Sequence, residues 1–558
     1  MLTTIDDQSQ SQSQSQKGNR LFLLLIGLAF VILILNKAFF WSSHPLLTYP
    51  DQSAYFAMAE MITQGKLPYI DFFEWNPPLI MYLNLIPVFV SRLIHIPAPL
   101  ALNFSVLGLS AVSSFLSLRI AYKYLSRQDF LVLLPMLFAV AYFSQDLLIN
   151  TGEREHLFIL AYVPYFVLRS IVWKNATTEV QTKFDDGQGG VVDERPISKF
   201  DAVLCGVLAG VGMALKPQFV ASAFVVELFF YCRFRTIRSI RTFARPEICS
   251  VVSVFVAYLL LCLLLPPAVW DVYFHQVVPL YLSGLSYSSE TLMLMLRTNG
   301  DFYLPFLHLI LTLSAAIALS RYSQLIAPLS AFSLSFLFHY IYGAQSWPYR
   351  FLPMSAGFFM LDGLMFGIVL NGVLNRLCLQ RLMRWVLAGA MLCFAGSLTY
   401  QVMNIQTDCY KGAALYDMSP LGYSGKCLKS DLDPLFFFIV DKTKPTDSAF
   451  FMGTGIGPGY PAILQSGRQQ GSRYIFCLLP FLDYCVNETQ DKRWQEMTEL
   501  VISNYGKDIA SKKPAMIIVQ KRVVLDLLVQ QNFFVRYMSD YEISGETNMH
   551  EIWVRMKK

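Results

Sequence analysis

Apolar stretches of membrane-spanning length recur between residues 21 and 402, and short loops that carry basic residues separate them. The 558-residue chain is 54% hydrophobic and contains 44 phenylalanines, and its mean hydropathy is positive. This composition is typical of integral membrane proteins and not of soluble chains of the same length. The net charge of +5 is small, and the basic residues form no continuous surface that would suit nucleic acid. The sequence predicts a polytopic α-helical membrane protein with about 11 to 13 spans.

The predicted spans are apolar runs bounded by charged or proline-containing loops. They lie at residues 21–40, 99–122, 130–149, 157–173, 201–215, 219–232, 248–266, 302–320, 323–343, 351–372 and 385–402. Residues 79–96 are also apolar, but they follow Pro77-Pro78 and contain Pro87, Arg92 and His95. This segment is predicted to be a re-entrant or interfacial helix, because proline and charge disfavour a complete crossing.

Clusters of arginine and lysine indicate which loops face the cytoplasm. The strongest cluster holds Arg233, Arg235, Arg238, Arg241 and Arg245, a second holds Arg376, Arg381 and Arg384, and a third holds Lys123 and Arg127. With these loops inside, the unusual polar residues of the chain all fall on the opposite, extracytoplasmic side.

The two ends of the chain differ in composition from the middle. Residues 1–20 contain a Gln/Ser tract and are predicted to be a disordered cytoplasmic tail, because they can bury little apolar area. Residues 403–558 are predicted to form an extracytoplasmic α/β domain after a transmembrane domain of residues 21–402.

Shorter periodic segments predict the elements of this last domain. Strands are expected at residues 448–453 and 515–520, and amphipathic helices at residues 488–506 and 522–534.

Four cysteines lie in the predicted extracytoplasmic domain, where disulfides are permitted. We hypothesise local pairing of Cys409 with Cys427 and of Cys477 with Cys485. No Cys/His spacing in the sequence is typical of a zinc site.

Three carboxylates lie in the first extracytoplasmic loop. Asp51 is a candidate general base, since a partly desolvated carboxylate can accept a proton from an acceptor hydroxyl or amine. The alternative is a structural helix cap, because Asp often accepts hydrogen bonds from backbone N–H groups at a helix start. Asp71 and Glu74 could serve a site or could be solvated loop residues.

A second polar group is the GEREH sequence of residues 152–156, between two apolar runs. Charged residues are common at the boundary of a membrane span, but four consecutive residues of this kind favour a functional site. Arg154 could pair with a phosphate, Glu153 or Glu155 could orient an acceptor or hold a divalent ion, and His156 is counted with them as a substrate-binding candidate.

Two further positions lie between later spans. Lys216 precedes Pro217 and is a candidate anion contact, although a lone lysine could also extend to the lipid headgroups. Gln345, Tyr349 and Arg350 form either a sugar- and phosphate-binding patch or an interfacial aromatic belt.

The glycine-rich residues 453–459 follow a predicted strand but lack the spacing of a dinucleotide-binding loop, and Pro458 interrupts any helix start. They are interpreted as a turn.

The order of these motifs resembles the GT-C superfamily of membrane glycosyltransferases, which includes protein O-mannosyltransferases, the bacterial aminoarabinose transferase and related lipopolysaccharide sugar transferases. The motifs that carry the resemblance are Asp51 with Tyr55, residues 65–69 (GKLPY) with Asp71, residues 76–79 (NPPL), 152–155 (GERE), 215–218 (LKPQ) and 349–353 (YRFLP).

The resemblance implies transfer, with inversion, of a sugar from a polyprenyl-phosphate donor to a glycolipid or protein acceptor outside the bacterial inner membrane. It implies Asp51 as the base, Lys216 and Arg154 as phosphate contacts, and Glu153, Glu155 and Asp71 as secondary acids. Glu74, His156, Gln345, Tyr349 and Arg350 complete the predicted site. Many relatives have two adjacent acids where this chain has Asp51-Gln52, so a divalent metal is possible but not favoured.

Two other functional classes are alternatives to the transferase. A transporter or flippase of a lipid-linked or anionic substrate would place its charges within the spans and would often show repeated halves. A membrane scaffold with an extracytoplasmic recognition domain would leave Asp51 and Glu153 unexplained. The concentration of charge in external loops favours the transferase.

Overall fold

The computed structural model describes residues 3–146, 150–185, 196–233, 244–287, 303–343 and 347–556. A helical bundle is followed by a small sheet domain. The helices of the first half are α1 (Thr3–Ser43), α2 (Pro50–Thr63), α3 (Leu79–Leu83), α4 (Leu85–Ile94), α5 (Ala98–Tyr124), α6 (Arg127–Asp146), α7 (Arg154–Asp185), α8 (Lys199–Ala214), α9 (Pro217–Arg233) and α10 (Pro246–Leu263). They are followed by α11 (Pro267–Val272), α12 (Val278–Tyr287), α13 (Tyr303–Leu319), α14 (Ile326–Tyr342), α15 (Leu352–Arg376) and α16 (Met383–Tyr410).

Within the described residues, seven helices are long and apolar enough to cross a membrane. They are Gly18–Ser43, Ala98–Tyr124, Arg127–Gln145, Arg154–Lys174, Pro246–Leu263, Pro348–Arg376 and Gln380–Tyr410. Four apolar segments are shorter: Leu79–Ile94, Pro217–Cys232, Leu307–Tyr322 and Ile326–Tyr342. The chain is thus a polytopic helical membrane protein, and the predicted total of 11 to 13 spans would require all four shorter segments to cross as well.

The amino-terminal segment differs from its prediction. Helix α1 begins at Thr3 and includes the Gln/Ser tract that was predicted to be disordered. Extending an existing helix adds one hydrogen bond per residue, and glutamine and serine do not break it, so the apolar part of α1 can propagate a helix into the polar part.

Residues 79–94 do not form one continuous crossing. Helices α3 and α4 divide this segment, and α4, with ten residues, is about 15 Å long, half the thickness of the hydrocarbon core. His95, at the end of α4, bonds through Nε2 to the carbonyl of Gly422 in the sheet domain (3.2 Å). Before the segment, the backbone N–H of Phe73 donates to the carbonyl of Arg473 in the same domain (2.7 Å). Both ends of the segment therefore lie on the side of the sheet domain, as the re-entrant or interfacial prediction requires.

Small residues bring α15 close to α6. A Cβ atom at Gly363 would lie 2.6 Å from the carbonyl oxygen of Pro135, and one at Gly367 would lie 2.1 Å from that of Val132. Close backbone approach through small residues is a common way for membrane helices to associate, because it increases van der Waals contact.

The sheet domain follows α16, which extends to Tyr410, beyond the predicted boundary at residue 402. Its five-stranded sheet has the order β4-β3-β5-β7-β6, in which β3 pairs in parallel with β4 and β5, and β7 pairs antiparallel with β5 and β6. The strands are β1 (Leu415–Asp417) and β2 (Lys426–Leu428), which form a separate hairpin, and β3 (Ser448–Met452), β4 (Gln469–Gln470), β5 (Met516–Gln520), β6 (Tyr541–Glu546) and β7 (His550–Arg555).

The helices of the domain are α17 (Pro434–Lys442), α18 (Gly459–Ser466), α19 (Leu479–Thr489), α20 (Lys492–Lys512), α21 (Val523–Gln530) and α22 (Phe533–Tyr537). Both predicted strands are present as β3 and β5. The helix predicted at 488–506 corresponds to α20, and the one predicted at 522–534 is divided into α21 and α22.

The two hypothesised disulfides are absent from the described part of the chain, where all four cysteines are free thiols. Cys409 is exposed in the last turn of α16, whereas Cys427 is buried in the hairpin strand β2. Cys477 and Cys485 are both buried, and the Cys477 thiol shares a hydrogen bond with the phenol of Tyr505. Proximity in sequence therefore did not produce the predicted pairs.

Candidate active site

Four interruptions of the helices bring the predicted polar residues together. Asp51 lies in the first turn of α2, and residues 150–153 connect α6 to α7. Lys216 lies between α8 and Pro217, the first residue of α9. Proline lacks an N–H group and is favoured at a helix start, which explains why the chain breaks at Lys216. The fourth interruption is the short 3-10 turn Pro348–Phe351 before α15.

Asp51 is not the cap of α2. The N-cap residue is Tyr49, which makes no capping hydrogen bond with its side chain, and Pro50 occupies the first turn. Burial raises the pKa of Asp51, while the positive charges of Arg154 and Lys216 oppose that shift. The carboxylate therefore lies in a poorly solvated environment close to two cations, as a candidate base requires.

Glu153 is buried (4% exposed), and its Oε2 atom has no hydrogen-bond partner among the described residues. Its pKa is raised well above the ordinary value, first by burial and then by the negative charge of Asp51. Two neighbouring carboxyl groups that repel each other divide a proton unequally. Burial raises the pKa of Asp51 as well, so the pair retains a proton to higher pH than isolated carboxyl groups would.

Arg154 supplies a buried positive charge with unused donors. Its guanidinium carbon lies 5.6 Å from the centroid of the Tyr55 ring, and the side chain is 4% exposed. The Nε and Nη1 atoms have no acceptor in the described parts of the chain. Because a guanidinium remains charged and a buried donor without a partner is costly, this arrangement favours a bound anion.

Lys216 lies on the opposite side of the same charge cluster. Its Nζ atom donates a hydrogen bond to Oε1 of Glu155 and lies 5.1 Å from the centroid of the Tyr349 ring. Burial and the positive charge of Arg154 lower the pKa of Lys216 to about 8. The positive charge of Arg350 also lowers the pKa of Lys216, so the Arg350 guanidinium lies near the cluster. Its Nη1 atom donates a hydrogen bond to the Gly343 carbonyl (3.5 Å).

Glu74 enters the site from the first loop. It is buried (2% exposed) and accepts hydrogen bonds from the backbone N–H of Asn76 (3.1 Å) and from the Asn76 side chain. Tyr69 donates to the Asn76 carbonyl (2.7 Å), which holds the loop closed. Burial raises the pKa of Glu74, and the charge of Arg154 opposes this shift.

Asp71 does not belong to this cluster, which corrects its predicted catalytic role. Its Oδ2 atom accepts a hydrogen bond from the backbone N–H of Leu67 (2.8 Å), so it closes its own loop. Its charge acts on Arg473 and Lys512 of the sheet domain. Asp71 and Glu74 thus have separate partners, the N–H of Leu67 and the N–H of Asn76, in a loop where Tyr69 adopts a left-handed φ of 67°.

His156 shapes the turn before α7. Its Nδ1 atom accepts a hydrogen bond from the backbone N–H of Gly152 (3.1 Å), which has a left-handed φ of 79°. His156 also bonds to the backbone of Ser144 in α6. Its contacts are therefore with its own loop and with α6, and not with Asp51 or Lys216. The remaining predicted residue, Gln345, lies outside the described residues.

Sequence reasoning missed two buried amides. Gln52 (2% exposed) and Gln145 (7% exposed) have no partner for either side-chain amide atom within the described ranges. Glutamine is common in loops and at helix ends, so residue type alone gave no signal. Asn76 and Tyr55 were part of recognised motifs but were not assigned to the site.

The candidate site therefore contains two cations, a pair of neighbouring carboxyl groups and aromatic walls. Its residues are Asp51, Glu74, Glu153, Arg154, Glu155, Lys216 and Tyr349. The cations can hold an anionic group, and Asp51 can accept a proton beside it. No group of three or more His, Cys, Asp or Glu side chains suitable for a metal ion occurs in the described residues.

The structure is similar to two crystal structures of ArnT from Cupriavidus metallidurans, one in the apo state and one bound to undecaprenyl phosphate. Each shares 11% sequence identity with this chain at a TM-score of 0.53. The first comparison covers 96% of this chain and 98% of that one, and the second covers 95% and 97%. No protein-family model and no curated protein matches the sequence. At this sequence identity the comparisons show a shared fold, so the predicted resemblance is confirmed at the level of the fold.

Proposed function

We propose that this protein is an inverting glycosyltransferase that moves a sugar from a polyprenyl-phosphate donor to a glycolipid or protein acceptor. The observation that carries the proposal is the position of Asp51 beside two buried cations, Arg154 and Lys216. The ArnT fold, in which one structure holds undecaprenyl phosphate, supports a lipid phosphate as the anion. The bacterial inner membrane, with the site on its periplasmic face, is the proposed location.

In the proposed reaction the donor phosphate lies against Lys216 and Arg154. The acceptor hydroxyl or amine loses its proton to Asp51 as the acceptor atom bonds to the anomeric carbon. The bond between that carbon and the phosphate oxygen breaks on the opposite face, and polyprenyl phosphate leaves with the electron pair. The two cations stabilise the negative charge that develops on this leaving group.

The base is assigned to Asp51, which lies beside Arg154 and Lys216, and the protonated partner to Glu153, whose pKa is raised by burial and by the negative charge of Asp51. A protonated Glu153 is suited to donate a hydrogen bond to the substrate. Glu74 is proposed to contact the sugar, since a carboxylate would repel the phosphate.

The proposal is tested by release of labelled sugar from a panel of undecaprenyl-phosphate-linked sugars by purified protein in lipid nanodiscs, with glycolipid and protein acceptors. Asp51→Asn should reduce transfer by about 10²- to 10⁴-fold because the base is lost. Asp71→Asn is the matched control, with the same substitution in the same loop outside the charge cluster, and it should retain transfer.

If the Asp51→Asn variant retains transfer activity, Asp51 is not the base. Failure of the wild-type protein to consume any donor of the panel would contradict the transferase and favour the transporter, for which a lipid-flipping assay is the next measurement. The proposal includes no divalent metal, so transfer should persist after treatment with EDTA. If EDTA abolishes transfer and added metal restores it, the proposal of a metal-independent reaction is wrong.

A further inference from the structure

The sheet domain is attached to the segment that leads into Asp51. Nδ1 of His44 lies 2.9 Å from Oδ2 of Asp431, and both side chains are largely buried. The Gln465 side chain donates to the carbonyl of Leu46 (3.0 Å). The phenol of Tyr410, at the end of α16, donates to the Ser43 carbonyl. The first two contacts fix the segment after α1 against the sheet domain, across 387 and 419 residues of chain.

The glycine-rich turn of the sheet domain reaches the helix that carries Asp51. A Cβ atom at Gly457 would lie 2.9 Å from Cγ of Pro50, the first residue of α2. Helix α18, which begins directly after this turn, also packs against α2. The turn that sequence analysis interpreted as structural therefore lies against the helix that carries Asp51.

Tyr460 follows this turn, in the first turn of α18. Its side chain is 1% exposed, and its phenol oxygen has no hydrogen-bond partner among the residues that the structure describes. Burial raises the pKa of Tyr460 well above its ordinary value, and the negative charge of Glu74 adds to the shift. The phenol therefore remains a neutral hydrogen-bond donor, buried near a carboxylate of the site.

A buried phenol without a partner is costly, and buried tyrosine hydroxyls are normally hydrogen-bonded. The lysine and arginine side of the site suits a phosphate. The Glu74 side presents a carboxylate, the amide of Asn76 and the phenol of Tyr460, which suit the hydroxyl groups of a sugar.

We propose that Tyr460 is a substrate-binding residue that the sheet domain contributes to the active site, where its phenol donates a hydrogen bond to a hydroxyl group of the donor sugar. This inference rests on the proposed transferase function and adds a sugar contact to it. The sheet domain thereby has two roles, since it positions Pro50 and Asp51 and also completes the sugar site.

The test compares binding of undecaprenyl phosphate with binding of the undecaprenyl-phosphate-linked sugar that the wild-type protein consumes. Tyr460→Phe removes only the hydroxyl group. It should weaken binding of the sugar-bearing donor about tenfold and leave binding of undecaprenyl phosphate unchanged, because only the former presents sugar hydroxyls.

Tyr416→Phe is the matched control. The Tyr416 phenol oxygen is also buried without a partner in the described structure, but it lies in the β1–β2 hairpin against Phe436, in a separate hydrophobic cluster. This variant should bind both lipids as the wild-type protein does.

If Tyr460→Phe weakens binding of both lipids equally, Tyr460 has a structural role and the sugar contact is wrong. Unchanged binding of both lipids would also contradict the sugar contact. Either result would leave the transferase proposal in place. Failure of the wild-type protein to bind undecaprenyl phosphate and to consume any sugar-bearing donor would contradict the transferase proposal and the sugar contact together.

Discussion

Lys216 and Glu155 form an ion pair within the helical bundle, in which Nζ of Lys216 donates to Oε1 of Glu155 and the two side chains are 10% and 3% exposed. Glu155 raises the pKa of Lys216, but burial and the charge of Arg154 lower it more, with the result near 8. The protonation of this lysine therefore changes close to physiological pH.

We predict that Glu155→Gln moves the alkaline limb of donor kcat/KM to lower pH. Lys216 must be protonated to hold a phosphate, so kcat/KM should fall as pH rises through about 8 in the wild-type protein. Loss of the Glu155 charge removes an interaction that favours the protonated lysine, which lowers its pKa further. The measurement is kcat/KM against pH from 6 to about 10, a range chosen to include the limb.

Lys216→Arg is the control for this assignment. A guanidinium keeps its charge throughout this range, so the alkaline limb should disappear even if the rate is lower. A limb that stays near pH 8 in Lys216→Arg would show that another group titrates there.

A second prediction concerns the neighbouring carboxyl groups of Asp51 and Glu153. Glu153→Gln should retain transfer within about tenfold, because glutamine resembles the protonated carboxyl group proposed for Glu153, whose pKa is raised by burial and by the charge of Asp51. The acid limb of kcat/KM should remain above the ordinary range of aspartate, since burial raises the pKa of Asp51. Transfer should increase as pH rises through this limb and the base forms.

The contrast with Glu153→Ala separates hydrogen bonding from charge. Alanine removes the donor as well as the carboxyl group, so a larger loss than with glutamine is expected. If Glu153→Gln abolishes transfer together with the acid limb, then Glu153 is the base and the roles proposed for the pair are wrong.

Local sequence could predict the interruptions that carry Lys216 and Asp51. Pro217 stops α8 beside Lys216, and Pro50 starts α2 beside Asp51, and both effects depend on the missing N–H group of proline. Apolar length and alternation likewise predicted the long spans and the strands β3 and β5, because both signals are local.

Local sequence could not separate Asp71 from Glu74 or identify Tyr460. The two loop carboxylates bond to different backbone N–H groups in a loop that turns at Tyr69, whose left-handed φ is uncommon for a residue other than glycine. Tyr460 reaches Glu74 only through the packing of the sheet domain, across 386 residues of chain, and no spacing rule extends over that distance.

A third prediction tests the helix contact that supports this arrangement. Gly367→Ala should lower the thermal unfolding temperature in detergent, because the added Cβ would lie 2.1 Å from the Val132 carbonyl oxygen and must displace α15 from α6. Overpacking of this kind costs about 1 to 3 kcal/mol.

Gly372→Ala is the control in the same helix, since a Cβ there would have no atom within 4 Å. Alanine has the higher helix propensity, so Gly372→Ala should leave the unfolding temperature unchanged or raise it slightly. Equal unfolding temperatures for the two variants would show that α6 and α15 are not in contact at Gly367. The packing that places the turn of Tyr349, directly before α15, beside α7 would then need another support.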